Sequence, residues 1–87
     1  MSGDVDESIE AFDLLSNEVR LDILRTLGGA MAADDAPLAF TDLQRRVGVE
    51  DNGRFNYHLT KLTGHLVAKR EEGYELKPPG NNIYQAI

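Results

Sequence analysis

The hydrophobic spacing of this chain changes period once, at Gly64, and that change limits the fold more than any other feature. Before it, apolar residues recur three and four apart, the spacing of one face of a helix. Ile9, Phe12 and Leu15 form one such stripe, Val19, Ile23, Leu24 and Leu27 a second, and Phe55, Leu59 and Leu62 a third. After it, Leu66-Val67-Ala68-Lys69-Arg70 and Gly73-Tyr74-Glu75-Leu76-Lys77 read as strands, joined by a hairpin turn at Glu71-Glu72-Gly73. A mainly α chain with a small β-hairpin is expected. At 87 residues there is room for one domain, 8–87, preceded by a polar, acidic segment 1–7 that is expected to be disordered.

Capping and breaking residues set the boundaries. Ser8 is placed to cap the first helix and Ser16 or Asn17 the second. Gly28-Gly29 is expected to end the second helix, with Glu18, Arg20, Asp22 and Arg25 facing water. Residues 30–37 read as a loop broken by Asp34-Asp35 and Pro37, and Leu38-Ala39-Phe40 as a short extended piece. Thr41-Asp42-Leu43-Gln44 matches a capping box, with Thr41 at the N-cap of a short helix 42–47. Gly48 breaks that helix, Asp51 caps a helix 52–63, and Gly64 ends it. Pro78-Pro79-Gly80 stops the sheet before a last helix, 81–87, with Ile83 and Ile87 on one face. The chain ends inside that pattern, as in a truncated domain or a last helix that docks on a partner. The expected order is α-α-β-α-α-β-β-α.

Composition closes several routes to function. There is no cysteine, which excludes disulfides, thiolate metal sites and cysteine nucleophiles. Two histidines cannot supply a four-ligand zinc site. His58 reads as a structural residue packed beside the third stripe, and His65 as one that meets the last carbonyls of its helix. Asp34-Asp35 reads as loop charge and not as a catalytic dyad. No serine elbow, phosphate loop or glycine-rich cradle is present, so no enzyme, cofactor or metal is expected. No membrane-length apolar run and no signal peptide occur, and a cytoplasmic protein is expected.

The net charge of −6 argues, taken whole, against a polyanionic partner. Its distribution argues otherwise. Residues 1–42 hold ten acids against two bases, and residues 43–87 five acids against seven bases. Arginine supplies six of the nine bases and aspartate eight of the acids, which suits a surface kept soluble in high salt and points to a halophilic source.

One family resemblance runs through these segments. Leu15-Ser16-Asn17-Glu18-Val19-Arg20-Leu21-Asp22-Ile23-Leu24, Phe40-Thr41-Asp42-Leu43 and Phe55-Asn56-Tyr57-His58-Leu59 carry its first part. Lys61-Leu62, Gly64-His65-Leu66-Val67 and Gly73-Tyr74-Glu75-Leu76 carry the rest. In this order they resemble the winged helix-turn-helix domain of ArsR-like transcriptional regulators, in particular small archaeal relatives of haloarchaeal type, over about residues 8–82. The resemblance implies a DNA-binding fold, usually a homodimer, with 52–63 as recognition helix and 66–77 as wing. The chain departs from the metal-sensing members, whose sites rest largely on cysteine.

The 52–63 helix can be read residue by residue. Phe55, Leu59 and Leu62 fall on one side, Gly53, Tyr57 and Thr60 opposite, and Arg54, Asn56 and Lys61 between them. Arg54 suits guanine and Asn56 adenine, Lys61 suits phosphate, and Tyr57 either meets sugar or phosphate or belongs to the core. Gly53 lets the helix approach DNA closely, and Asn52 completes the set. Arg45 and Arg46 either meet phosphate or take part in i,i+4 pairing such as Asp42–Arg46. Lys69, Arg70 and Lys77 sit on or beside the wing, although Glu71-Glu72 at its tip would be repelled by phosphate. Ile9, Phe12, Ile83 and Ile87 are the expected dimer contacts. The expected function is a DNA-binding transcriptional regulator, any effector being unknown. The alternative is a winged-helix protein–protein interaction module without direct DNA binding, favoured by the net charge and the acidic wing tip.

Overall fold

A computed structural model describes residues 17–87. The segment 1–7 and the expected first helix, with Ser8, Ile9, Phe12 and Leu15, lie outside the described residues. Helix α1 spans Glu18–Ala32 and opens where Asn17 Oδ1 accepts the Val19 N–H at 2.8 Å. It does not stop at Gly28-Gly29. Gly28 is buried mid-helix against the ring of Tyr84, and a Cβ there would stand 2.3 Å from ring carbons. Glycine at this position permits a close approach and does not mark an end. The helix closes instead where Ala33 donates to Gly29 O at 3.0 Å and Asp34 turns left-handed at φ 59°, a conformation Asp tolerates.

Of the expected extended piece, Leu38 alone pairs, exchanging backbone hydrogen bonds of 2.9 and 2.8 Å with Tyr74. Phe40 already belongs to α2, Phe40–Val47. The expected capping box does not form. Ala39 is the N-cap, no side chain caps the helix, and Ala39 O accepts the Leu43 N–H at 2.9 Å, so Thr41 falls inside the first turn. Gly48 ends α2 at φ 87°, a left-handed conformation that glycine adopts without strain. Helix α3, Asn52–Leu62, opens as expected on Asp51, whose carboxylate accepts the Arg54 N–H at 3.0 Å.

Strands β1, Val67–Arg70, and β2, Gly73–Leu76, pair antiparallel from Val67↔Leu76 to Arg70↔Gly73, leaving Glu71-Glu72 as the loop. Helix α4 spans Pro78–Ala86 and starts earlier than the expected 81. Its prolines occupy the first turn, where a missing N–H costs nothing and the fixed φ suits a helix.

The described residues are therefore mainly helical with a small two-stranded hairpin. Ile23, Leu24 and Leu27 of α1, Leu43 of α2, Phe55, Leu59 and Leu62 of α3 and Val67 of β1 are fully buried. Each is worth roughly 1.5–3 kcal/mol relative to exposure. Phe40 meets Phe55 edge-on, with ring centroids 5.2 Å apart. No helix among the described residues is long and apolar enough to cross a membrane.

The two adjacent glycines of α1 should respond oppositely to a methyl group. Gly28→Ala must displace Tyr84 and should destabilise the protein by about 1–3 kcal/mol. Gly29→Ala meets nothing within 4 Å and should stabilise it by up to about 1 kcal/mol, because alanine is the better helix former. Urea unfolding of both variants checks this, and equal effects would contradict the packing of α4 on α1.

Candidate functional site

Helix α3 divides cleanly into two faces. Phe55, His58, Leu59 and Leu62 are buried at spacings of three and four. Gly53, Arg54, Asn56, Tyr57, Thr60 and Lys61 are exposed, as is Asn52 at its start. Tyr57, which the sequence left open between surface and core, is 55% exposed. Its ring lies 5.5 Å from Lys61 Nζ and edge-on to His58, with centroids 5.3 Å apart. The outer face thus presents a guanidinium, two amides, a phenol, a hydroxyl and an ammonium group.

The other basic residues are not equivalent. Arg45 and Arg46, both exposed on α2, are engaged by carboxylates. Asp42 binds both, and Arg46 also reaches Asp35 at 2.8 Å. Partial desolvation opposes ionisation of Asp42, but hydrogen bonds from Arg46 and Arg45 outweigh it and hold that carboxyl below its usual range. Hydrogen bonds to Asp35 and Asp42 raise the pKa of Arg46 above its ordinary value. Arg70 of β1 donates from Nε to Glu75 Oε2 at 2.9 Å, and Lys77 Nζ donates to Gly64 O at 2.9 Å. Among the described residues no carboxylate pairs with Arg54, Lys61 or Lys69. A cleft of about 440 Å³ separates α3 from the hairpin, with Asn56 on one wall and Lys69, Arg70, Glu71 and Glu72 on the other.

Behind this face lies a buried polar pair that the sequence reading missed. Arg20, expected in water, is 6% exposed, and His58 is 7% exposed. Arg20 Nε donates to His58 Nδ1 at 3.1 Å, which leaves the histidine proton on Nε2. A signal existed, since Arg20 stands four and seven residues before Leu24 and Leu27 and so falls on their stripe. Burial first, then the charges of Arg20 and Arg54, push the His58 pKa below its ordinary value of 6.5. His65 is exposed, and it is its backbone N–H, not its ring, that meets Leu62 O, at 3.2 Å.

Gln44 does not take part in a capping box. Its amide instead reaches the turn between α2 and α3 and the Asn52 side chain. Of the expected dimer contacts, Ile83 packs partly against the core, whereas Ile87 is 51% exposed. Ile9 and Phe12 lie outside the described residues. Among the described residues no three His, Asp or Glu side chains come together as metal ligands would.

A family model described as Domain of unknown function (DUF7347) matches residues 8–87. Comparison with curated proteins and with solved structures found no match.

The Arg20–His58 pair makes stability depend on pH with a definite sign. The unfolded histidine protonates near 6.5 and the folded one only at lower pH, so stability is full above about 6.5 and is lost as pH falls through the folded-state value. In His58→Gln, whose side-chain carbonyl can still accept from Arg20, the slope just below pH 6.5 should flatten. Urea midpoints measured against pH check this, and parallel curves for both proteins would contradict it.

Proposed function

We propose that this chain, which belongs to the DUF7347 family, binds double-stranded DNA as a transcriptional regulator, with α3 in the major groove and the β1–β2 hairpin beside the backbone. On this reading α2, the Gly48–Asp51 turn and α3 form a helix-turn-helix, the hairpin is its wing, and the whole is a winged helix. One observation carries it: the exposed face of α3 sets Arg54, Asn56, Tyr57, Thr60 and Lys61 side by side, while its opposite face anchors the helix in the core. These are the groups that read base edges and hold phosphates. Lys69 extends the unpaired cations toward the hairpin. A homodimer through the exposed end of α4, including Ile87, would set two such helices about 34 Å apart.

The exposed acids Glu71 and Glu72 favour a second reading, in which the hairpin meets a protein. Titration with mixed-sequence duplex at low salt separates the two. On the DNA reading, amide shifts concentrate on residues 52–62. Shifts that avoid this helix overturn that reading.

Arg54→Ala combined with Lys61→Ala should weaken duplex binding about tenfold or more and reduce the salt slope by about one to two units. Fluorescence anisotropy over a salt series measures both quantities, and an unchanged affinity would remove this face from the reading. Asp42→Asn should act in the opposite direction. It releases Arg45 and loosens Arg46, so duplex affinity should rise and the slope steepen by about one unit.

A further inference from the structure

Gln44 lies half-buried on α2, and the two hydrogens of its Nε2 are shared among three acceptors. It reaches Val49 O at 3.0 Å, Glu50 O at 3.4 Å and Asn52 Oδ1 at 2.6 Å. The two backbone carbonyls settle which way the Gln44 amide points, because a carbonyl can only accept and the group facing it must be NH2. The same NH2 meets Asn52, so the Asn52 atom turned inward must be its carbonyl oxygen. The Asn52 NH2 is left outward at the start of α3. Among the described residues no acceptor takes it.

We infer that Gln44 is a positioning residue that fixes what Asn52 can read in DNA. The inference rests on the reading that α3 enters the major groove. An asparagine with both ends free makes a two-point contact with adenine, accepting from N6 and donating to N7. In Asn52 the oxygen is turned to Gln44, which takes one of its two lone pairs and fixes the amide with its NH2 as the leading group. It therefore favours a G·C pair, whose guanine presents two adjacent acceptors at N7 and O6, over an A·T pair, where adenine N7 stands beside the N6 donor that only the two-point contact would satisfy. The first residues of a recognition helix are those that reach base edges, which is where Asn52 stands.

The test has one arm without DNA and one with it. In the free protein, the side-chain amide protons of Gln44 should exchange with water more slowly than those of exposed Gln85. Equal exchange would overturn the clamp whatever the protein binds. With DNA, the protein, Asn52→Ala and Gln44→Met each select duplexes from a random pool. Asn52→Ala should relax the preference at one base pair that the unaltered protein enriches as G·C, with about a tenfold loss of affinity for the selected duplex. Gln44→Met should admit A·T at that same pair. Enrichment of A·T by the unaltered protein at the pair that Asn52→Ala relaxes, or an unchanged preference profile in Asn52→Ala, would overturn the inference while leaving the DNA reading standing. Asn52 is exposed, so this arm does not depend on whether Gln44→Met folds. Enrichment of no duplex by any of the three proteins would bring down the DNA reading itself, and the specificity assigned to Asn52 with it.

Discussion

At 100° per residue, the buried positions of α1, from Val19 through Arg20, Ile23, Leu24, Leu27 and Gly28 to Ala30, cover about half of its circumference. A helix wrapped that far cannot be served by one neighbour. It packs against α2, α3, β2 and α4. The relation between α2 and α3 follows from this, since both sit on the platform that α1 provides. Phe40 against Phe55 and Gln44 across the turn add the local fastening. The exposed face of α3 points outward because Phe55, Leu59 and Leu62 are anchored to this platform from behind.

The periodicity carries much of this architecture. The stripes of α1 and α3, the Asp51 cap, the Gly48 stop and the presence of the hairpin all follow from spacing and turn chemistry. The misreadings share a cause, which is contact between residues far apart in the chain. Gly28 looks like a helix end until Tyr84, 56 residues later, is seen to need the space. Arg20 looks like a solvated base until His58 of α3 is seen above it. The capping box failed for a related reason: pairing of Leu38 with Tyr74 sets where α2 can start, and Thr41 arrives too late to cap it. The candidate face was legible because a helix with one apolar side must expose the other. The partners of its cations were not, since Asp35–Arg46 and Arg70–Glu75 depend on the loop and on strand register.

The Arg20–His58 pair places a cation under α3 and a titratable group inside it. Burying a charge is costly unless it is hydrogen-bonded, and a neutral imidazole is a suitable acceptor for a guanidinium. The pair joins α1 to α3 by a directional bond, where the surrounding leucines supply only non-directional contact. It also lies one residue from Tyr57, whose ring makes an edge contact with the His58 ring, so the pair and the outer face meet at this point.

The charge of the exposed face differs from what a count of bases suggests. Residues 43–87 carry seven bases, but Arg45, Arg46 and Arg70 are held by carboxylates and Lys77 by a backbone carbonyl. Arg54, Lys61 and Lys69 remain. For a surface that meets DNA, each phosphate neutralised contributes a salt slope of about 0.9, so three cations would give a slope near three where seven would give about six. The shallower slope lowers affinity in dilute salt and preserves more of it in concentrated salt. On the DNA reading, discrimination would then come mainly from the base edges. The demand would fall on the geometry of Asn52, Arg54 and Asn56, and therefore on Asp51 and Gln44, which hold the start of α3 in place.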